Sequence, residues 1–385
     1  MNRRAGVTAA LRLAVVRDYR AEGWLSMDLC ADQLLMHLPK ELLQVTEVAP
    51  PFRRLLSRWP CTSRTGFNAD RFVNRYLLLP RHVCRVASRV DFVHIVDHSY
   101  AHLVHAVPGG RAGVYCHDLN AFRCLLQPDR EPRPRWFCRL VQHVLDGFRQ
   151  AAVVFYNSRH TGEELLRYGL VPQERLVHAP LGVAPEFTPQ PPATPVPLPL
   201  STDPPYLLHV GSNSPRKRLD LLLDIFAAVR LHLPALRLVQ VGGPWPAACL
   251  AQIRRLGLGS HITQVRGLSR EQLAELYRRA AAVLVTSDAE GFGLPVIEAL
   301  ACGAVVVASD LPAVREAGGS AAVYCPVGNI PVWTATLVRL LQQPDWAPPR
   351  TQRLAHAGRF SWAEHARIIA STYSRLVEPS PGGNP

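Results

Sequence analysis

The sequence contains few lysines, no closely paired cysteines and no hydrophobic stretch long enough to cross a membrane. No apolar run reaches the roughly 20 residues that a transmembrane helix needs. Arg12 interrupts the stretch from Ala5 to Val16, which is the best candidate for a signal peptide, so we expect Leu11–Val16 to form a buried strand instead. These absences favour a soluble protein.

The nine cysteines are odd in number, and none of them are spaced as Cys-x-x-Cys. A disulfide framework or a structural zinc site would show an even number or close pairs. We therefore expect reduced thiols that pack as small hydrophobic side chains, which indicates a cytoplasmic protein.

The basic charge comes almost entirely from arginine, because Lys40 and Lys217 are the two lysines of a chain with a formal net charge of +13. Residues 53–89 concentrate this charge, with Asp70 as the one acid among nine arginines, at positions 53, 54, 58, 64, 71, 75, 81, 85 and 89. Such a block attracts anions. A nucleic acid, an anionic membrane, an anionic substrate and a merely solvated face all remain open as explanations.

Short apolar runs alternate with helical patterns along the chain. The runs of the first half are Leu11–Val16, Phe92–Val96, Ala112–Cys116 and Ala152–Tyr156. Those of the second half are Tyr206–Val210, Leu236–Val241, Ile262–Val265, Ala282–Thr286 and Ala304–Ala308. This alternation predicts parallel sheets covered by helices, including helices in Arg218–His232 and Arg270–Ala281. Because 385 residues exceed one ordinary core, we expect two α/β domains with a ligand between their carboxyl edges.

A proline-rich segment, Phe187–Pro205, separates the two halves and predicts the domain boundary. A second boundary precedes Ser361 and Glu364, whose Ser-x-x-Glu spacing predicts the start of a helix. The predicted parts are a first domain at 1–186, a linker at 187–205, a second domain at 206–360, a final helix at 361–377 and a disordered tail at 378–385.

The most informative segment is Ser287–Gly303, in which a strand leads through two glycines into a helical pattern. Glycines allow a tight turn and a close approach to a ligand, and Pro295 suits the first helical turn. The free N–H groups of Phe292, Gly293 and Leu294 would then face an anion from the helix N-terminus. Glu290 and Glu298 flank this point, where carboxylates are suited to accept hydrogen bonds from sugar and ribose hydroxyls.

A second segment, Leu207–Asp220, places basic residues after a strand. Gly211 turns the chain, and Arg216, Lys217 and Arg218 follow at the start of the next helix. A lysine in an otherwise arginine-based chain favours a compact point charge, for which a diphosphate is a suitable partner. A surface basic triplet at a helix start is the alternative.

Residues 206–330 resemble the C-terminal half of a glycosyltransferase family 4 enzyme with the GT-B fold. Glu290 and Glu298 match the Glu-x7-Glu signature of that family, with Gly-Phe-Gly-Leu-Pro directly inside it. The flanking motifs match as well, in Val265-Arg266-Gly267 and in Ser309-Asp310-Leu311-Pro312. The resemblance implies two Rossmann-like domains that face each other across a cleft, with the final helix crossing back to the first domain.

The resemblance also implies a role for each matching residue. Glu290 would contact the donor sugar, Glu298 the ribose, and Arg216 and Lys217 the diphosphate. The expected donor-binding set is Gly23, Trp24, Gly211, Arg216, Lys217, Arg266, Gly267, Glu290, Phe292, Gly293, Leu294 and Glu298. Ser212 departs from the family, which often has an arginine directly after the glycine of this turn.

The N-terminal half resembles the family more weakly. His117 follows the run Ala112–Cys116 and resembles the histidine that contacts the donor sugar in the cleft. The expected catalytic residues are therefore His117, Glu290 and Lys217. The expected acceptor-binding residues, near the same strand ends, are His98, Tyr100 and Asp118.

Membership of this family would imply transfer with retention of the anomeric configuration. We find no convincing carboxylate nucleophile, which favours a front-face displacement. The sequence lacks Asp-x-Asp, the usual metal anchor of the other major glycosyltransferase fold. This absence favours transfer without a metal. The resemblance implies that no cofactor takes part, that the donor is a UDP-, GDP- or ADP-sugar, and that the acceptor is a glycan or lipid-linked molecule in cell-envelope or exopolysaccharide synthesis. Residues 53–89 would seat the enzyme on the anionic inner face of the cytoplasmic membrane.

Two other classes of function remain as alternatives. A nucleotide-sugar epimerase or a glycan phosphorylase shares the two-domain architecture, although a phosphorylase of this fold usually needs a pyridoxal phosphate lysine, and Lys217 already has a predicted role. A non-enzymatic anion or nucleic-acid binder would explain the charge of +13. Aromatic residues do not interleave with the arginine block as they do in single-strand binders, so we expect no nucleic-acid partner.

Overall fold

The computed structural model describes residues 10–58, 63–201 and 203–377, without the side chains at positions 63 and 64. Cys61, the side chain of Arg64, the first residues of the stretch from Ala5 and the tail at 378–385 lie outside this description. The chain forms two compact units. The first contains the residues up to Leu181 together with those from Trp362 onward, and the second is Gly182–Ser361.

The first unit is built on a parallel six-stranded sheet in the order β2-β1-β3-β4-β5-β6. Its strands are β1 Leu11–Val16, β2 Leu43–Val48, β3 Phe92–Ile95, β4 Ala112–Cys116, β5 Val153–Tyr156 and β6 Leu176–His178. Its helices are α1 Leu25–His37, α2 Ser63–Val73, α3 Leu79–Ala87, α4 Arg123–Leu126, α5 Arg135–Gln150, α6 Arg159–Arg167 and the final helix, Trp362–Val377. A π-helical turn, Asn74–Leu78, joins α2 to α3.

The final helix is an integral part of the first unit. It packs against α1, and its Tyr373 is fully buried beneath the sheet. The Tyr373 hydroxyl lies 2.9 Å from Nδ1 of His94 on β3. Gly113 on β4 leaves room for this ring, because a Cβ at that position would overlap the Tyr373 hydroxyl.

The second unit has a parallel six-stranded sheet in the order β12-β11-β10-β7-β8-β9. Its strands are β7 Tyr206–Val210, β8 Arg237–Val241, β9 Ile262–Val265, β10 Ala282–Val285, β11 Val306–Ser309 and β12 Val323–Cys325. Its helices are α7 Leu219–Arg230, α8 Ala247–Arg255, α9 Arg270–Arg279, α10 Leu294–Ala301, α11 Pro312–Gly318, α12 Ile330–Gln342 and α13 Arg350–Ala357. From β7 the chain adds β8 and β9 on one side of the sheet, and then adds β10, β11 and β12 on the other side. The direction of winding therefore changes between β7 and β10, where open α/β sheets bind their ligands.

The α/β fold class with two parallel sheets is confirmed, and all nine predicted strands occur within two residues of their predicted bounds. Three strands, β2, β6 and β12, were not predicted, and each of them lies at the edge of a sheet. An edge strand is covered on fewer sides than a central one, so its sequence need not be continuously apolar. In β2 the sequence Leu-Gln-Val-Thr-Glu-Val accordingly leaves three side chains exposed.

The boundary between the units falls between Leu181 and Gly182, five residues before the predicted end of the first domain at 186. The predicted linker is attached to the second unit. Phe187 is buried with its ring 5.8 Å from that of Tyr277, and Arg278 Nη1 donates to the carbonyl of Thr188 at 3.1 Å. Proline-rich backbone offers carbonyl acceptors but few N–H donors, so side-chain donors of the second unit hold it in place.

None of the eight cysteines in the described residues forms a disulfide. Within the same residues, no helix combines the length and the apolar character that a membrane span would require.

Candidate functional site in the second unit and polar cluster in the first

The change of direction in the second sheet brings together a basic loop and an acidic loop. Arg216 and Lys217 follow β7, and Glu290 follows β10. Lys217 Nζ lies 2.5 Å from Oε1 of Glu290, and Arg216 Nη1 lies 2.7 Å from Oε2. Ser287 adds a hydrogen bond from its Oγ to Oε1 at 2.6 Å. Three residues that the sequence assigned to the donor thus form one contiguous cluster.

Electrostatics keep Glu290 ionised in this cluster. Burial alone would raise the pKa of the Glu290 carboxyl, but the charges of Lys217 and Arg216 outweigh it and lower the pKa to about 2. The Lys217 and Glu290 side chains are 9% and 6% exposed, so this is a buried pair that solvent screens little. The cluster can present cations to a diphosphate and a carboxylate to hydroxyl groups.

Backbone contacts hold the basic loop against the acidic one. Thr286 donates through Oγ1 to the carbonyl of Lys217 at 3.0 Å, and the N–H of Asp288 donates to the carbonyl of Arg216 at 2.9 Å. Arg218 ends the loop in a left-handed conformation with φ 49°. Sequence reasoning missed Thr286 and Ser287 as supporting residues, although both stand within four positions before Glu290.

Helix α10 begins where the sequence placed it. Gly293 is its N-cap with φ 109°, a conformation that favours glycine, and Leu294 and Pro295 are its first residues. Phe292 is buried against the ring of Phe360 at 5.7 Å. Gly293 thus allows the turn that the motif predicted.

Glu298 lies on the buried side of α10, where its Oε2 accepts a hydrogen bond from the hydroxyl of Tyr277 at 3.1 Å. Burial raises the pKa of Glu298 to about 7, only partly countered by Tyr277 and by the charge of Arg270, and the carboxylate of Glu186 adds to the increase. Arg270 Nη1 lies 3.7 Å from Oε1 of Glu186. The two glutamates of the motif therefore have opposite pKa shifts, because only Glu290 contacts cations directly.

The predicted nucleobase residues follow β9. Arg266 is exposed and donates through Nη2 to Oε1 of Gln264 at 3.1 Å, and Gly267 has φ 65°. Gly211 follows β7 on the neighbouring loop, where its N–H donates to the carbonyl of Val241 at 3.0 Å. These residues share the carboxyl edge of the sheet with the Lys217–Glu290 cluster, since all of them follow the ends of parallel strands.

The remaining predicted residues belong to the first unit, at the ends of β3 and β4. His117 is buried with Nε2 2.9 Å from the carbonyl of Val96, which requires the proton on Nε2. Burial lowers the pKa of His117, although the charge of Asp97 opposes this. His98 lies between two carboxylates, with Nδ1 3.2 Å from Asp97 and Nε2 3.7 Å from Asp118. His98, His117 and Asp118 are thus neighbours, as predicted from their strand ends.

Tyr100, the third predicted acceptor residue, is buried in the first unit. It is 1% exposed, and its hydroxyl donates to Oε1 of Glu22 at 2.7 Å. Arg75 stacks on the Tyr100 ring, with its guanidinium carbon 3.8 Å from the centroid. Tyr100 therefore packs in the interior of the first unit, and its role as an acceptor contact stays a prediction.

The loop after β1 contains the predicted Gly23 and Trp24. Gly23 has φ 74°, and Trp24 is 50% exposed with its Nε1 donating to Oε2 of Glu22 at 3.3 Å. Glu22, which sequence reasoning missed, also accepts from Arg71 at 2.8 Å. Its place directly before the Gly23-Trp24 turn was the available signal.

A buried pair of carboxyl groups, Asp18 and Asp97, was also missed. The pKa of Asp18 is well above its usual value because of burial and the neighbouring charge of Asp97. Asp97 has a pKa of about 2, since His98, His117 and the hydrogen bonds of Ser99 overcome its burial. Within the described residues, no group of three or more His, Cys, Asp or Glu side chains is arranged to hold a metal ion.

Comparison with known proteins shows which families and folds the chain resembles. The family model of glycosyl transferases group 1 matches residues 193–359, which cover most of the second unit. The chain is 28% identical over 277 residues to O-antigen chain mannosyltransferase B of Escherichia coli, over 69% of this chain and 71% of that protein. It is 33% identical over 189 residues to D-inositol 3-phosphate glycosyltransferase of Gordonia bronchialis, over 46% of this chain and 41% of that protein. The similarity to the second relative thus spans less than half of its length.

Solved structures resemble the chain over nearly its whole length. Sucrose-phosphate synthase of Thermosynechococcus elongatus has a TM-score of 0.71 at 18% identity, covering 95% of this chain and 99% of that chain. HepE of Anabaena, solved in complex with UDP-glucose, has a TM-score of 0.67 at 17% identity, covering 95% of this chain and 100% of that chain. The protein has the GT-B fold. The family match and the relatives support a glycosyltransferase.

Proposed function

We propose that this protein is a retaining glycosyltransferase of family 4, which transfers a hexose-type sugar from a nucleotide-diphosphate donor to a glycan or lipid-linked acceptor. The Arg216–Lys217–Glu290 cluster is the observation that carries the proposal. It lies where the second sheet changes direction, within the segment that the family model matches. The similarity to the mannosyltransferase of Escherichia coli and to HepE, which was solved with UDP-glucose, supports a nucleotide sugar as donor.

In this proposal the cluster exchanges its internal contacts for contacts to the donor. The diphosphate takes Arg216 and Lys217 as partners, and the Glu290 carboxylate turns to the hydroxyls of the sugar. Ionised Glu290, with its pKa of about 2, is suited to accept such hydrogen bonds at neutral pH. The N–H groups of Phe292, Gly293 and Leu294 at the start of α10 add positive potential near the phosphates.

The charge that develops on the leaving diphosphate would be stabilised by Arg216 and Lys217, an electrostatic role that fixed cations perform without reorganisation. We propose that these cations serve where other glycosyltransferases use a divalent metal, and that no cofactor takes part. A phosphate oxygen of the leaving group would accept the proton of the acceptor hydroxyl on the same face of the sugar. His117 would contact the donor sugar from the first unit.

A binding experiment tests the donor site. Calorimetry and thermal shift with UDP, GDP, ADP and their sugars, with and without EDTA, should show one diphosphate that binds equally well in both buffers. Glu298→Ala should weaken that binding, because Glu298 is the proposed ribose contact. Binding to no member of the panel by folded protein would contradict the proposal, and loss of binding in EDTA would contradict its metal independence.

Product analysis separates the proposed transfer from the alternative reactions. NMR of the anomeric carbon should show the donor configuration retained in a new glycosidic bond. An epimerase would return a nucleotide sugar with one inverted centre, and a phosphorylase would release a sugar phosphate.

We further propose that an anionic inner membrane surface carries the acceptor. Arg53, Arg54, Arg81, Arg85 and Arg89 are exposed, and none of them forms an ion pair with the acidic side chains described in the structure. Exposed apolar side chains lie among these arginines, at Leu55, Leu56, Phe72 and Leu77. Basic residues near an anionic surface contribute about 1 kcal/mol each, and the apolar side chains would enter the interface.

Liposome sedimentation tests this surface. Vesicles rich in anionic lipid should sediment the protein at low salt, and high salt should release it because salt screens the attraction. The triple variant Arg81→Glu, Arg85→Glu, Arg89→Glu should stay in the supernatant. Equal sedimentation of variant and wild type, or none at low salt, would contradict the membrane proposal and leave the donor site unaffected.

A further inference from the structure

A row of polar side chains crosses the second sheet one residue before its strands end. His209, Gln240 and Gln264 are register partners on β7, β8 and β9. Partners in register on parallel strands project to the same face of the sheet. Gln240 is fully buried, and Gln264 is half-buried at the end of the row.

The two glutamine amides connect three separate loops. Gln240 donates through Nε2 to the carbonyl of Gly211 at 3.2 Å and accepts at Oε1 from Nε2 of Gln264 at 2.9 Å. Gln264 also donates through Nε2 to the carbonyl of Gly243 at 2.7 Å, and its Oε1 accepts from Arg266 at 3.1 Å. The loops after β7, β8 and β9 are thereby joined by one chain of hydrogen bonds.

These loops also pack against each other without side chains between them. A Cβ at Gly242 would overlap the carbonyl of Gly211 and approach Nε2 of Gln240 to 2.7 Å. Asn213 donates through Nδ2 to the carbonyl of Pro244 at 3.2 Å, which joins the first loop to the second a further time. Because no glycine side chain fixes these loops, the amides of Gln240 and Gln264 hold the carbonyls of Gly211 and Gly243 in place.

We propose that Gln264 is a positioning residue for the nucleotide part of the donor. It holds an acceptor, the Gly243 carbonyl, and a donor, the Arg266 guanidinium, at fixed places on the edge where open α/β sheets bind ligands. A nucleobase presents donors and acceptors on one flat edge, and a site with preset partners loses less freedom on binding it. This inference rests on the proposed nucleotide-sugar activity and names the residue that sets its base-binding edge.

Two substitutions at Gln264 test this role. Gln264→Glu keeps the oxygen that accepts from Arg266 but places a second oxygen against the Gly243 carbonyl and Oε1 of Gln240. Gln264→Leu removes every bond of the amide. Both should raise the Kd of the diphosphate that wild type binds, measured by calorimetry, by tenfold or more. They should raise the KM of the nucleotide sugar and leave the acceptor KM and kcat within twofold.

Matched variants separate positioning from loss of folding. Gln252→Leu removes an amide that donates to the Asp220 carbonyl and to Asp224 Oδ1 in the same unit, at 3.0 and 2.7 Å, and should leave the diphosphate Kd unchanged. Arg266→Ala alters only an exposed side chain. Like Gln264→Leu, it should bring the Kd values of UDP, GDP and ADP closer together than they are for wild type.

The outcomes also separate this inference from the proposed function. If wild type binds a diphosphate and both Gln264 variants bind it with the same Kd, the positioning role is excluded and the donor site stands. A parallel loss of affinity in Gln252→Leu would exclude it too, since the effect would then be general to the unit. If wild type binds no diphosphate of the panel, the proposed function fails and the role of Gln264 fails with it.

Discussion

Lys217 and Glu290 are separated by 73 positions in the sequence, and their side chains meet at 2.5 Å in the second unit. Removing Lys217 leaves Glu290 buried with Arg216 as its remaining cation, so the cost should be smaller than the about 3–5 kcal/mol of a buried charge left without a partner. We expect Lys217→Met to lower the free energy of unfolding of the second unit by about 1–3 kcal/mol, measured by urea denaturation. Lys40→Met changes the other lysine, which is exposed, and should alter stability by less than about 0.5 kcal/mol. Equal effects of the two variants would show that the pair contributes nothing.

The raised pKa of Glu298 predicts a pH dependence of stability. The Glu298 carboxyl has a pKa of about 7 in the folded state and about 4.5 in the unfolded state, so the folded state binds more protons between these pH values. Its contribution to the free energy of unfolding is therefore complete below pH 4.5 and is lost as the pH rises through 7. We therefore compare the free energy of unfolding of Glu298→Gln with that of wild type at two pH values. The difference, variant minus wild type, should be about 2–3 kcal/mol larger at pH 8 than at pH 4.5. Chemical denaturation at both pH values measures this. A difference that does not change with pH would contradict the raised pKa.

Buried His94 predicts the opposite pH dependence in the first unit. Burial lowers the pKa of His94 to about 3, whereas an unfolded histidine titrates near 6.5, so the unfolded state binds more protons between these values. Stability should thus fall as pH decreases from 6.5 towards 4, and His94→Gln should reduce that fall. His105→Gln, the same substitution at an exposed position, is the matched control. The unfolding temperature of wild type and both variants is measured between pH 7 and pH 4. If it falls with pH as steeply in His94→Gln as in wild type, His94 is not the source of the pH dependence.

Gly113 and Gly259 form a matched pair for a packing prediction. A Cβ at Gly113 would overlap the Tyr373 hydroxyl and lie 3.0 Å from Val153 Cγ1, whereas a Cβ at Gly259 would meet no atom within 4 Å. We expect Gly113→Ala to destabilise the first unit by about 1–3 kcal/mol, because an overpacked core must shift. Gly259→Ala should be neutral within about 0.5 kcal/mol.

Limited proteolysis identifies the element that responds to the Gly113 substitution. Gly113→Ala should expose the final helix to cleavage ahead of the rest of the first unit, since Tyr373 belongs to that helix. Unchanged stability and unchanged cleavage in Gly113→Ala would show that the helix accommodates the added methyl group.

Much of the fold follows from local sequence. The central strands of both sheets are continuous apolar runs such as Ala112–Cys116 and Tyr206–Val210, and this pattern identifies them because both of their faces are buried. The turn into α10 is also encoded locally. Gly293 adopts a positive φ that favours glycine, and Pro295 suits the first turn of a helix. Edge strands such as β12, with three residues, have no comparable pattern.

The sequence by itself singled out Lys217, Glu290 and Glu298 as candidate site residues, because their motif spacing along the chain is enough to identify them. Only the tertiary structure decided their protonation and their partners. Both glutamates are buried, yet Glu290 contacts two cations and has a pKa of about 2, whereas Glu298 contacts Tyr277 and has a pKa of about 7. It also decided that Tyr100 lies inside the first unit and that Gln240 and Gln264 join three loops. These properties depend on burial and on contacts between distant segments, and residue spacing along the chain specifies neither.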